Sequence, residues 1–168
     1  MFESAELGHR ISKEDYNRRE PELRRRLLNL QYQLLEKPTF PVILIIGGVD
    51  GAGKGETVNI LNEWMDPRHI RTQAFGPSAP AERGRAPMRF WRALPGKGRI
   101  GILFGSWYTD PIVARVTSGL KRMNFERAIE RIRDFETMLA DEGALILKLW
   151  FHLSKDAQKK RLRALESR

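Results

Sequence analysis

The sequence predicts an α/β domain built on a parallel sheet. A short β-branched apolar run at residues 42–46 and further strand-like stretches at 70–75, 100–105 and 144–153 alternate with helix-compatible segments, and a glycine-rich turn follows the first run directly. Alternation of this kind yields parallel strands covered by helices on both faces. No internal repeat or low-complexity tract interrupts it.

The elements follow in order. Residues 12–36 carry helix chemistry, with Ser12 as N-cap and Pro21 able to open a second helical segment. Leu23, Leu27, Leu30 and Leu34 recur at spacings of four, three and four, one apolar stripe of a packing helix that ends near Lys37-Pro38. Residues 42–46 read as a central parallel strand. Residues 56–64 continue as a helix with Val58, Leu61 and Trp64 on one side. The strand at 70–75 is broken by Gly76-Pro77-Ser78-Ala79-Pro80, and a short helix at 87–94 ends on Pro95-Gly96. Then come a strand at 100–105, helices at 111–123 and 125–141, a strand at 144–153, and a helix at 154–166 capped by Ser154. This divides the chain into an N-terminal helical segment, 1–40, and a core, 41–168, expected to continue in a longer chain because the last helical pattern stops without a capping glycine.

The chain has 168 residues, 41% of them apolar, enough for one compact core. It has no cysteine, which removes disulfides and thiolate metal sites. Its apolar runs are far shorter than the roughly 20 residues that span a bilayer. A cytoplasmic protein without a membrane partner is the expectation. Thirty basic residues against 21 acidic ones, a net charge of +9, favour a polyanionic partner. No nucleic-acid-binding motif accompanies the charge, so nucleic acid is a poor candidate.

The stretch Ile-Ile-Gly-Gly-Val-Asp-Gly-Ala-Gly-Lys-Gly-Glu, residues 45–56, carries the chemistry. Gly48, four intervening residues, then Gly53-Lys54 is the spacing that turns successive backbone N–H groups into one concavity, to which Lys54 adds a cation. The helix that follows contributes its positive end. Gly48, Gly51, Ala52, Gly53, Lys54, Gly55 and Glu56 are the expected phosphate-binding residues. Asp50 is a carboxylate inside an anion cradle, which suggests a shared cation such as magnesium, or a turn-stabilising role. Residues 66–100 hold eight basic side chains against two acids. The part leaving the second strand is expected to cover the phosphates, with Arg89 and Arg92 three apart on one helical face. Phe90 and Trp91 read as core rather than as stacking platforms.

Several separated motifs carry a family resemblance. They are the loop Gly48-x-Asp50-x-x-Gly53-Lys54-Gly55, the run from Arg89-Phe-Trp-Arg92 to Ile102, Ser106-Trp107-Tyr108, Asp134-Phe135-Glu136, and residues 146–155. Together they resemble the family-2 polyphosphate kinases, and most closely the branch in which two such domains are fused as a polyphosphate:AMP phosphotransferase. The resemblance implies a P-loop kinase-like fold and magnesium-dependent phosphoryl transfer between inorganic polyphosphate and nucleotides, AMP and ADP in that branch. It implies catalytic roles for Asp50, Lys54 and Arg89, a phosphate contact for Arg92, and pairing with a second similar domain or a homo-oligomer. It also accounts for Gly55, where other phosphate loops carry Ser or Thr. An ATP-dependent nucleotide kinase, the rival enzyme reading, would carry that hydroxyl.

One departure bears on activity. Where the family places an acidic or amide residue and an arginine before Ser-Trp-Tyr, this chain has Phe104 and Gly105. Loss of a metal-anchoring carboxylate is expected to remove on the order of several kcal/mol of charge stabilisation and so orders of magnitude in rate. Asp110 replaces it only if the turn folds back. The alternative is that this domain is a non-catalytic phosphate-binding or assembly module.

Overall fold

The computed structural model describes residues 8, 10–78 and 86–166. Four strands, β1 (Val42–Gly48), β2 (Ile70–Ala74), β3 (Ile100–Phe104) and β4 (Leu145–Phe151), form one all-parallel sheet in the order β2-β3-β1-β4. The predicted central strand is indeed internal. Its side chains alternate between two cores: Ile43 and Ile45 face one, Leu44 and Ile46 the other. Ile43, Ile46, Ile102 and Leu103 are almost completely enclosed, each stabilising the fold by on the order of 2 kcal/mol relative to exposure.

Helices cover both faces. The first core is closed by α3 (Ala86–Trp91) and α5 (Arg122–Asp141), through Phe90, Ile132 and Leu139. The second is closed by α1 (Lys13–Glu36) and α2 (Lys54–Trp64), through Leu34 and Val58. α4 (Thr109–Thr117) follows β3, and α6 (Lys155–Glu166) follows β4. Ser154 caps α6 as expected, its Oγ accepting from Ala157 N at 3.3 Å. α4 starts two residues earlier than the sequence suggested, and it stops earlier because Gly119, with φ of 61°, closes it.

Two expectations about α1 are corrected. Pro21 does not open a second helix; α1 runs unbroken through it for 24 residues. The surrounding turn is exposed, so water can satisfy the carbonyl left without an N–H partner. The leucine stripe is not the packing face either: Leu34 is buried and Leu27 packs beside it, but Leu23 and Leu30 are about half exposed. The face is completed by Gln31, buried to 2%. Its amide forms a reciprocal pair with backbone, Nε2 donating to Asp66 O at 2.9 Å and Oε1 accepting from Asp66 N at 2.7 Å. A buried amide survives in an apolar contact only when both of its ends are satisfied in this way.

Asp66 caps the short turn Pro67–His69 that connects α2 to β2. It holds Arg68 through a 2.6 Å ion pair and receives the Arg68 backbone N–H at 3.0 Å. The Arg68 guanidinium is the main reason its carboxyl titrates well below the usual range. Among the described residues, no helix is long and apolar enough to cross a membrane.

Gln31→Ala leaves Asp66 N–H and C=O without these partners and opens a gap under α1. We expect a loss of about 3 kcal/mol in urea unfolding, with the native sheet retained.

Candidate phosphate site

All strands point one way, so everything that leaves a strand's C-terminal end reaches the same edge of the sheet. The loop after β1 emerges there. Its first residue is locked to the neighbouring strand: Gly48 pairs with Phe151, and Val49 N donates to Phe151 O at 3.0 Å. Gly48 has φ of 137°, and a Cβ there would lie 2.1 Å from the Phe151 carbonyl oxygen, so only glycine fits.

Gly51, Ala52 and Gly53 make the turn, and α2 starts at Lys54, two residues before the predicted position. Gly53 and Gly55 have open space around them, and the Glu56 backbone lies in the first turn of α2. The Lys54 side chain is 15% exposed and folds back over the loop, Nζ donating to Gly48 O at 2.7 Å and Asp50 Oδ1 at 3.0 Å. Asp50 itself is 87% exposed. Its carboxylate pairs with the Lys54 ammonium at the mouth of the cradle. The hydroxyl missing at Gly55 is not recovered from Thr57, whose Oγ1 donates to Gly53 O at 3.0 Å within the helix.

α6 leans on the same loop, an arrangement that sequence spacing gave no means of finding. Gln158 Nε2 donates to Asp50 O at 3.0 Å, and Arg161 lies 3.4 Å from Glu56. These residues are more than a hundred positions apart in the chain.

The arginines divide. Arg68 and Arg99 precede β2 and β3, at the edge opposite the phosphate loop, where Arg68 pairs with Asp66 and Arg99 contacts His69. Their charge therefore does not cover the site, contrary to the surplus counted over 66–100. Arg83 and Arg85 lie outside the described residues. Arg92 is exposed just past α3. Arg89 turns inward: its Nη2 donates to Gly76 O at 3.0 Å and approaches Asp110 Oδ2 at 3.5 Å, while the guanidinium lies over the Phe75 and Phe90 rings at 5.5 and 4.8 Å. Its polar partners among the described residues are outside the phosphate loop. Phe90 is core as expected, but Trp91 is about half exposed against the edge of Phe135.

At the tip of β3, Phe104 pairs with Ile46, just before the phosphate loop, and its ring packs into the second core. Gly105 N donates to Ile46 O at 3.0 Å. Gly105 has φ of 80°, and a Cβ there would meet the Phe75 carbonyl oxygen at 2.3 Å. An arginine at this position is thus incompatible with the backbone of this chain. Asp110 does not fold back to replace the carboxylate; it accepts from Ser78 N at 2.7 Å and Ser78 Oγ at 2.5 Å. No group of three potential metal ligands exists among the described residues. The exposed carboxylate of Asp50 would suit a hard divalent cation that keeps most of its waters.

The residues after Gly105 are fixed by a network that joins three of the sequence motifs. Glu136 accepts from Trp107 Nε1 at 3.0 Å and from Lys148 Nζ at 2.8 Å, and Lys148 reaches Tyr108 OH at 3.3 Å. The hydrogen bond to Glu136 raises the Lys148 pKa, and burial is the main cause of the raised Tyr108 value. Beside this network lies a cavity of about 840 Å3 between α4, α5 and the exit of β2, lined by Phe90, Trp107, Asp110 and Phe135 among others. Its lining residues do not include the phosphate loop.

A parallel sheet with a glycine-rich loop and lysine between its central strand and the next helix is an α/β architecture of the P-loop kinase-like type. The chain belongs to the polyphosphate kinase 2 family, whose model matches residues 10–168. It is 53% identical over 167 residues to the polyphosphate:AMP phosphotransferase of Pseudomonas aeruginosa, and 36% identical over 143 residues to the AMP/ADP-polyphosphate phosphotransferase of Meiothermus ruber. These matches cover 99% and 83% of this chain. The solved structure of polyphosphate kinase 2 from Arthrobacter aurescens superimposes with a TM-score of 0.88 at 30% identity, covering 96% of this chain and 59% of that one. The chain spans about a third (34%) of the Pseudomonas aeruginosa relative and about half (53%) of the Meiothermus ruber one.

Two outcomes are expected from this geometry. Gly105→Ala should destabilise the fold by about 3 kcal/mol, read by thermal or urea unfolding, because the residue meets both a positive φ and a carbonyl oxygen. Glu136→Leu strands the Trp107 N–H and should cost about 2 kcal/mol at neutral pH. Because the folded Lys148 pKa is raised, its stabilisation is complete below the ordinary value of 10.5 and is lost as pH rises through the folded value. Unfolding titrations between neutral and alkaline pH should show that loss in the parent and not in Glu136→Leu.

Proposed function

We propose that this domain is part of a polyphosphate:AMP phosphotransferase and that, within it, the domain holds phosphate better than it transfers it. The overall reaction joins an AMP phosphate oxygen to the terminal phosphorus of polyphosphate. The bridging P–O bond breaks, and the shortened polymer leaves with the electron pair. Family membership and the named relatives support this chemistry. That the chain matches about a third of the Pseudomonas aeruginosa relative supports a second domain in the whole protein, and so does the half-exposed stripe of Leu145, Leu147 and Leu149 on edge strand β4.

In this reading Lys54 leaves Gly48 O and Asp50 to bind phosphate oxygens, joined by the loop amides from Gly51 to Glu56. Asp50, released from Lys54, would hold magnesium, which would supply charge neutralisation for the phosphates. The observation that carries the impairment is Phe104: at the strand tip beside the loop, its ring packs into an apolar cluster where a second carboxylate would be required. Gly105 supports it, since its backbone conformation admits no arginine.

The test is ADP formation from AMP and polyphosphate by the 168-residue chain with magnesium. We expect slow turnover, raised by Phe104→Asp about tenfold or more. Lys54→Met should abolish pyrophosphate binding measured by calorimetry. Brisk turnover by the unmodified chain would sink the impairment, and phosphate binding unaffected by Lys54→Met would remove the role of the loop.

A further inference from the structure

Ser78, Arg89 and Asp110 form a cluster that the phosphate loop does not use. A backbone N–H, a hydroxyl and a guanidinium converge on one carboxylate: Ser78 N at 2.7 Å, Ser78 Oγ at 2.5 Å and Arg89 Nη2 at 3.5 Å. This donor set is the one proteins assemble for phosphate oxygens. Ser78 is buried to 8%, and the Arg89 Nε is buried with no hydrogen-bond partner among the described residues. The guanidinium is therefore not fully satisfied by the carboxylate it faces. Asp110 and Ser78 both line the 840 Å3 cavity, whose other walls are mainly apolar and aromatic, Phe90, Trp107 and Phe135 among them, with Arg131 as a further cation.

A first-turn acid on α4 would be sufficient to complement that helix's positive end, and would need none of these three donors. The local geometry instead treats Asp110 as a ligand.

We propose that Ser78, on the cavity wall, and Arg89, behind it, form a second anion subsite separate from the phosphate loop, and that Asp110 occupies it as a built-in carboxylate, excluding phosphate from it. An incoming phosphate and Asp110 would place two anions within a few ångströms of one guanidinium, and the covalently tethered one wins because it pays no entropy of association. Removal of the carboxylate should convert the cluster into a binding site for inorganic phosphates. The proposal goes beyond the loop-based function and does not depend on Lys54.

The experiment silences the phosphate loop with Lys54→Met and titrates inorganic pyrophosphate into the 168-residue chain by calorimetry at low ionic strength. Lys54→Met by itself should show no measurable binding, and addition of Asp110→Ala should bring binding back, with a Kd about tenfold or more below the detection limit, the equivalent of roughly 1.4 kcal/mol. Asp110→Asn keeps a carbonyl oxygen for Ser78 and should give a smaller gain in the same direction. Further addition of Arg89→Met should abolish the gain. Absence of a gain in both folded Asp110 variants overturns the proposal, as does a gain that survives Arg89→Met. If neither variant folds by circular dichroism, Asp110 is structural and the proposal falls as well. Pyrophosphate binding by the chain with Lys54 and Asp110 intact reads the phosphate loop alone, so failure of one reading does not imply failure of the other.

Discussion

The common direction of the four strands is the constraint on which the rest of the molecule depends. Because β1 lies between β3 and β4 and all three run in parallel, the loop after β1, the tip of β3 and the residues after β4 meet at one edge. The meeting is tight at Gly48, where the Phe151 carbonyl occupies the space of a side chain. That contact sets the origin of the phosphate cradle, and α2 then projects Lys54 back across it. The same polarity sends Arg68 and Arg99 to the far edge, where each finds a local partner.

Charge in the site is balanced within the protein. Lys54 is held by Gly48 O and Asp50, and Arg89 by Gly76 O and Asp110. A cradle of this kind is preorganised at the cost of competition: each phosphate must replace a carboxylate or carbonyl already in place. Asp50 is almost fully exposed and is displaced easily, because an ion pair in water is weak. Asp110 is more enclosed and carries two hydrogen bonds from Ser78, so it is displaced with difficulty. The two carboxylates therefore have opposite consequences, one leaving the loop open to ligand and the other keeping its neighbouring arginine occupied.

Phe104 and Gly105 belong to the packing as much as to the site. The Phe104 ring contributes to the core beneath β1, and Gly105 allows the chain to turn under Phe75. Beyond them, Glu136 and Lys148 hold Trp107 and Tyr108 in place from two other elements. The Ser-Trp-Tyr turn is thus kept rigid although the residues before it lack a carboxylate. In the proposed reading, a domain with this construction keeps the shape of a phosphoryl-transfer site and lacks one of its carboxylates.

The alternation of strands and helices, the phosphate loop and the caps at Ser12 and Ser154 were legible in the sequence, because each is a local matter of periodicity, glycine spacing or one side chain and its own helix. The identities of Phe104 and Gly105 were legible too. What the tertiary structure alone decided was the partnership of residues far apart: Gln31 with Asp66, Gln158 with Asp50, Asp110 with Ser78 and Arg89, and Glu136 with Trp107 and Lys148. The leucine stripe of α1 misled for the same reason, since a helical spacing shows which residues share a face but not which part of that face meets the sheet. Local chemistry is written in neighbouring residues, whereas a hydrogen bond between positions tens of residues apart exists only once packing has brought its donor and acceptor together.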